Sequence, residues 1–320
     1  MKKNNDPSAD GVLIVHKPQG PTSHDIVGKI RYLYHTRAVG HTGTLDPMAS
    51  GVLVVLLGRA AKACEYLSHD IKEYRAELTL GVTSDTEDIT GNILSRYGGD
   101  LPSPDEVQNI LPTFTGEIWQ VPPMYSALKV NGQKLCDLAR RGVTVEREAR
   151  RITVYALSAS PTKRSDRYLL NVTCSGGTYI RTLCADIGKA LGCGGVMSAL
   201  ERSAACGFSI EQAHTIDELE AMNDDERLAC LLPTESLFAE CSEVLLPPFY
   251  EKLCRNGCAV AQRKIGLSFP VGTRLRLKDA AARFFALGEV VEAEGELSLK
   301  AVKLFSLDSV AEPAAPKEEI

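Results

Sequence analysis

No stretch of this chain approaches the roughly 18 consecutive apolar residues that a membrane-spanning helix needs, so the sequence reads as that of a protein outside the membrane. The first ten residues, MKKNNDPSAD, lack the apolar core of a signal peptide, which makes the cytoplasm the expected compartment. Ten cysteines are present, but only Cys254 and Cys258 lie close together and no second pair stands at metal-site spacing. That excludes a zinc framework and favours reduced, mostly buried thiols. The six histidines are dispersed, which argues against metal-assisted hydrolysis. The glycine-rich segment Gly40 to Gly51 has neither the Walker A pattern nor dinucleotide-binding glycine spacing, which sets aside NTPase and dehydrogenase chemistry. A strained G-x-S-x-G turn is missing too: Ser50 precedes Gly51 without the first glycine, so a serine hydrolase is not indicated.

What is present is an ordinary globular composition, 44% hydrophobic and 24% charged, in 320 residues. Single cores stop growing near roughly 250–300 residues, so one large and one small domain are expected. The formal net charge of −5 speaks against a nucleic-acid partner, but it conceals an asymmetry. Gln120 to Arg181 holds 11 Lys/Arg against 4 Asp/Glu, whereas Ser209 to Lys252 holds 2 against 11. A polyanion could dock on the first region while the second stays in solvent.

Gly11 to His16 reads as a short strand, and "KPQGPTSHD" as a turn running into a helix over about 23–34, capped at Thr22 or Ser23. Val52 to Leu57 is a buried-strand pattern and Arg59 to Leu67 a short helix. In "IKEYRAELTLG", Tyr74, Ala76, Leu78 and Leu80 share one parity, which puts Tyr74 on the apolar face of a half-buried strand. "SPDE" from Ser103 to Glu106 is a capping box with proline at the first helical position, and Thr215 with Glu218 forms a second box. Tyr168, Leu170, Val172 and Cys174 alternate as a strand. After "SGGTYIR" the period changes to that of a helix, with Tyr179 and Arg181 in its first turn and Gly192 as its C-cap. From about Leu245 short strands with Gly/Pro punctuation predict a small β-domain over 245–308, followed by a disordered tail over 309–320. Residues 1–10 form a polar tail and 11–240 the larger domain. Without regular βαβ alternation, that domain is expected to be α+β with a mixed sheet.

One carboxylate stands out in "GHTGTLDPMASGVLVVLLG": Asp46, before proline in a turn, with no second acid near it in the chain. An aspartate there is readily an Asx-type structural residue. The sharper reading is a carboxylate nucleophile that attacks an electrophilic sugar or base carbon, held by a cation such as Arg181. Tyr74 is by pattern either a core aromatic or a platform for a flipped-out base. Lys129, Lys134, Arg140, Arg141, Arg147, Arg150 and Arg151 are either a solvated face or a phosphate track.

The Asp46 motif resembles the central motif of the bacterial TruB family, the tRNA pseudouridine-55 synthases. "HKPQGPTSHD" is similar to that family's N-terminal turn, "KEYRAELTLGVTSDTEDITG" to its second motif, and "QVPPMYSALKVNGQKLCDLARRG" to its RNA-gripping insertion, around 120–151. "CSGGTYIRTLCADIGKALG" resembles the motif carrying an active-site tyrosine and arginine, and "FFALGEVV" with "LSLKAVKLFS" the PUA-like β-domain. The resemblance covers about residues 11–306 in order. It implies a pseudouridine synthase fold and a cofactor-free, metal-free isomerase of the T-loop uridine 55 of tRNA, with no protein partner.

Residue by residue, the resemblance makes Asp46 the nucleophile, Tyr74 the stacking ring and Arg181 the ion-pair partner. It makes Tyr179 and Leu200 walls of the base pocket and His41 the filler of the space left by the extruded base. Lys17, Lys129, Arg140 and Arg141 become substrate contacts. Cys136 stands where the family has an aromatic, and Glu201 and Ser203 where it has an arginine and a threonine, while Arg202 is kept. The competing readings are a non-catalytic tRNA-binding or tRNA-folding protein on the same fold, and a small-molecule hydrolase with an aspartate nucleophile.

Overall fold

The computed structural model describes residues 9–67, 71–126, 128–130, 132–293 and 295–306. Of the expected tails, all but Ala9 and Asp10 lies outside these residues. The alternation in "IKEYRAELTLG" becomes the strand Lys72–Leu80, in which Lys72, Tyr74, Ala76, Leu78 and Leu80 are buried. It pairs antiparallel with Arg167–Cys174, Tyr74 opposite Val172 and Ala76 opposite Leu170. Side chains alternate across a strand, so the apolar sets of both strands share one face. There they pack on Leu183, Cys184 and Ile187 of the helix Ile180–Ala190. The helix ends at Leu191 as its C-cap rather than at Gly192, which follows in a left-handed conformation at φ +76°. Glycine is the residue that takes this φ without steric cost. Tyr179 likewise is the N-cap and not part of the first turn.

Ten strands make the large sheet. Its path runs His214–Thr215, Gly11–Lys17, Ser50–Leu57, Gly195–Ala205, Lys72–Leu80, Arg167–Cys174, Arg150–Pro161 and Gly116–Gln120, with Val39–His41 and Phe208–Ser209 attached. Gly195–Ala205 runs parallel to Ser50–Leu57 and antiparallel to Lys72–Leu80, which gives the mixed sheet expected of an α+β fold. The strand is therefore where residues from three distant segments meet. Ser50–Leu57 is almost wholly buried because the helix Ser23–Leu33 and the 3₁₀ turns of Gly58–Tyr66 enclose it. The predicted caps are in place: Thr22 with Asp25, Ser103 with Glu106 and Thr215 with Glu218.

A second sheet orders Ser242–Leu245, Arg274–Lys278, Phe284–Ala293, Glu296–Leu304 and Val260–Ala261, curled as a PUA-like half-barrel around Val244, Leu275, Phe285 and Leu299. It begins slightly earlier than the sequence pattern suggested. Leu287 and Phe305 reach out of it to pack with Leu237 and Phe238 beside the large sheet, and the Tyr66 hydroxyl donates to the Val302 carbonyl at 3.0 Å. In the larger domain, between the strands Gly116–Gln120 and Arg150–Pro161, Lys129–Val130 and Gln133–Lys134 form a small hairpin leading into the helix Leu135–Arg140. Among the described residues no helix is long and apolar enough to cross a membrane.

Candidate active site

The Asp46 loop is held from below by the N-terminal turn. Ser23 is buried at the start of its helix, and its Oγ donates to the Leu45 carbonyl at 3.0 Å while accepting from the Leu45 N–H at 2.8 Å. Gly20 N–H donates to the Pro47 carbonyl at 2.8 Å, and Ala49 N–H closes the turn on the Asp46 carbonyl at 3.0 Å. Lys17 is enclosed completely, with Nζ donating to the carbonyls of Ala49 at 2.7 Å and Pro18 at 2.9 Å. Burial pushes its amine down to about 8, with Asp46 pulling upward and Arg202 adding to the fall. Lys17, expected as a substrate contact, holds the loop itself in this structure, its nitrogen donating to both carbonyls.

Arg181 comes to Asp46 from the first turn of the helix Ile180–Ala190, with Nε 2.9 Å from Oδ2. The arginine side chain is 6% exposed and the aspartate's 36%, so the carboxylate is gripped on its inner side and open on the other. The rest of the guanidinium is also committed, Nη1 donating to the Thr86 carbonyl at 3.0 Å and Nη2 to that of Tyr125 at 2.8 Å. Asp88 stands 3.6 Å from Nη1, and its other oxygen accepts from Thr86 Oγ1, Thr90 N–H and Thr90 Oγ1. A cation near a helix N-terminus is disfavoured by the macrodipole, and these partners offset that cost.

Tyr74 and Leu200 line the sheet side of the cluster. Leu200 lies opposite Ala76 and Arg202 opposite Tyr74, so Leu200 is a diagonal neighbour of the Tyr74 ring. Burial pushes the Tyr74 phenol up, while the charge of Arg202 and a hydrogen bond from it act the other way. Tyr179 is fixed through its backbone by the buried Gln120, whose Oε1 accepts from its N–H at 2.8 Å and whose Nε2 donates to its carbonyl at 3.1 Å. His41 ends the strand Val39–His41; burial and the nearby Arg202 and His24 lower its imidazole, and its enclosed Nδ1 has no hydrogen-bond partner among the described residues.

Sequence reasoning missed four residues that build this arrangement: Ser23, Asp88, Gln120 and Arg202. Arg202 had been noticed only as a retained positive charge. It is 1% exposed, donating from Nε to the Val52 carbonyl at 2.7 Å and from Nη2 to that of Gly43 at 3.0 Å. Its neighbour Glu201 lies 3.9 Å from Arg75 on the outer face of the sheet. Strand alternation could have signalled the difference, since Leu200 and Arg202 share a parity that Glu201 does not.

The basic stretch finds its partners within the insertion. Arg140 pairs with Asp137 at 3.4 Å, Arg141 Nη2 donates to Gln133 Oε1 at 2.8 Å, and Arg147 Nη1 donates to the Pro122 carbonyl at 3.0 Å. Lys129 belongs to the hairpin, its side chain lying outside the described part. A cavity of about 470 Å³ lined by Thr83, Glu87, Asp186 and Lys189 lies along the same helix but includes no residue of the Asp46 cluster.

Residues 31–180 match the model of the TruB family pseudouridylate synthase (N terminal domain), and residues 181–239 that of the tRNA pseudouridylate synthase B C-terminal domain. The chain is 46% identical over 248 residues to tRNA pseudouridine synthase B of Alkaliphilus oremlandii, covering 78% of this chain and 82% of the relative. It is 41% identical over 298 residues to the protein of that name from Clostridium kluyveri, covering 92% and 99%. Among solved structures, a Cbf5-Nop10-Gar1 complex contains a chain that superposes with a TM-score of 0.71 at 26% identity, over 93% of this chain and 85% of its own. The chain belongs to the TruB family of pseudouridylate synthases.

Proposed function

We propose that this protein isomerises uridine to pseudouridine in tRNA, at uridine 55 of the T-loop, with Asp46 as the nucleophile. The relatives that span most of the chain are named tRNA pseudouridine synthases, which supports tRNA as the substrate. The observation that carries the mechanism is the ion pair between a half-open Asp46 and a buried Arg181 at 2.9 Å. A single carboxylate held in this way suits nucleophilic attack better than hydrolysis by a pair of acids.

In the reaction, an Asp46 oxygen attacks C1′ of the flipped-out nucleotide as the bond from C1′ to N1 breaks, and uracil leaves with that electron pair. The base turns against the Tyr74 ring, with Tyr179 and Leu200 as walls. Its C5 then forms a bond to C1′, displacing Asp46; C5 loses its proton, N1 gains one, and the product is an isomer of the substrate. The electrons balance within substrate and enzyme, so the step calls for no cofactor. Extrusion of the base costs a few kcal/mol of unstacking, and His41, with its unpartnered Nδ1, would fill the vacated space. The insertion around 120–151, with Lys129, Arg140 and Arg141, would track the phosphates, and the half-barrel formed by the strands from Ser242–Leu245 to Glu296–Leu304 would extend the RNA surface.

Asp46→Asn tests this reading. Pseudouridine formation on an unmodified tRNA transcript should fall by about 10³-fold or more, with tRNA affinity within about threefold of wild type. Turnover at the wild-type rate would remove Asp46 from the nucleophile's role. A wild-type protein that binds tRNA without forming pseudouridine would be the non-catalytic binder, and modification at another uridine would replace the T-loop as target.

A further inference from the structure

Arg202 is a fully buried cation that has no carboxylate within ion-pair distance among the described residues. Its guanidinium donates to two places at once, the Val52 carbonyl in one neighbouring strand and the Gly43 carbonyl in the Asp46 loop, while its backbone lies directly opposite Tyr74 in the other neighbouring strand. It can do so because its strand lies between the two, with Arg202 opposite Gly51 on one side and opposite Tyr74 on the other. The approach on the Gly51 side is extremely close: a Cβ on Gly51 would stand 2.2 Å from the Arg202 carbonyl oxygen. The arginine is thus fixed at its backbone and at its tip.

Tyr74 and Arg202 are cross-strand partners, and an arginine only donates, so a hydrogen bond between their side chains has the phenolic oxygen as acceptor. Such a bond would leave the phenol's own proton to point elsewhere and would set the rotation of the ring. It also makes negative charge on the oxygen less costly than burial alone would allow. A buried guanidinium that served only to tie loops together would be a costly choice, since desolvating a charge without an opposite charge is unfavourable.

Resting on the reading of Tyr74 as the ring against which the base turns, we propose that Arg202 is a positioning residue for the reaction. It orients the Tyr74 phenol and holds it in register with the Asp46 loop through one guanidinium.

The test is a double-substitution cycle in the full chain on tRNA, comparing wild type, Arg202→Lys, Tyr74→Phe and the double variant under single-turnover conditions, with tRNA affinity measured alongside. Arg202→Lys keeps the charge but loses the planar fork that spans the Val52 and Gly43 carbonyls beside Tyr74. It should slow pseudouridine formation by tenfold or more, with tRNA affinity within twofold, and its pH–rate profile should differ from that of wild type. In the Tyr74→Phe background the same change should cost less than threefold. Equal factors in both backgrounds would mean that Arg202 is merely structural and would overturn the proposal.

A second measurement does not depend on the folding of Arg202→Lys or on residual activity. The exchange-protected guanidinium N–H signals of Arg202, followed by NMR, should shift between wild type and Tyr74→Phe; unmoved signals overturn the proposal. If wild type forms no pseudouridine in any tRNA while those signals do shift, the functional reading fails and the Arg202 contact with Tyr74 stands.

Discussion

Ser23→Ala should loosen the Asp46 loop with little direct effect elsewhere. Ser23 Oγ is at once donor to the Leu45 carbonyl and acceptor from the Leu45 N–H, and both Ser23 and Leu45 are buried. Removing the hydroxyl leaves two buried backbone groups unpaired, each costing roughly 1–3 kcal/mol, for an expected loss of about 2–6 kcal/mol. The adjacent Thr22 is the proper control. It caps the same helix at an exposed position, accepting from the Asp25 N–H, and its replacement by alanine should cost only about 1 kcal/mol. Since Leu45 precedes Asp46, the serine change should also displace the carboxylate, and a shift of about 1 Å can cost on the order of 10²-fold in rate. Urea midpoints and single-turnover pseudouridine formation should be measured for both variants. Ser23→Ala should fall below Thr22→Ala in midpoint and lose about 10- to 100-fold in rate, while Thr22→Ala stays near the wild-type rate. Equal midpoints, or an undiminished rate in Ser23→Ala, would refute the claim that this hydroxyl holds the loop.

Gly51→Ala should cost about 3–5 kcal/mol, because the residue sits at φ +107° and its Cβ would collide with the Arg202 backbone; thermal melting beside Gly207→Ala, at φ +75° in open space, measures the difference. Lys17 has a folded-state value of about 8, below its ordinary 10.5, so the unfolded chain holds that proton more tightly. The penalty of the buried charge is therefore fully present below about pH 8 and relieved as pH rises toward about 10.5, so wild type should gain stability relative to Lys17→Met between pH 7 and 9. An opposite trend in urea midpoints would contradict the assignment. Arg140→Ala and Arg141→Ala should each reduce the salt dependence of tRNA binding by about one unit of slope in log K against log salt. A slope that does not change would leave these arginines off the phosphate track.

The local architecture was legible because it rests on short-range rules. The parity of Tyr74, Ala76, Leu78 and Leu80, the capping boxes and the helical spacing after Tyr179 are properties of neighbouring residues, and the strands and helices follow them. Asp46, Tyr74 and Arg181 could be singled out from residue type, position and family resemblance. What those cues did not show was enclosure. Lys17 and Arg202 are both buried, Lys17 because the Asp46 loop closes over the end of its strand and Arg202 because its strand is paired on both sides.

By itself, then, the sequence determined the elements, the α+β class and the identity of the lone carboxylate with its motif partners. Which groups touch Asp46 was decided by the tertiary structure, because that depends on pairings between segments far apart in the chain. The parallel pairing of Gly195–Ala205 with Ser50–Leu57 brings Arg202 to the Asp46 loop, and the packing of the helix Ile180–Ala190 on the sheet brings Arg181 within 2.9 Å of Asp46. Such pairings are set by the burial of a shared apolar face, which no local pattern records.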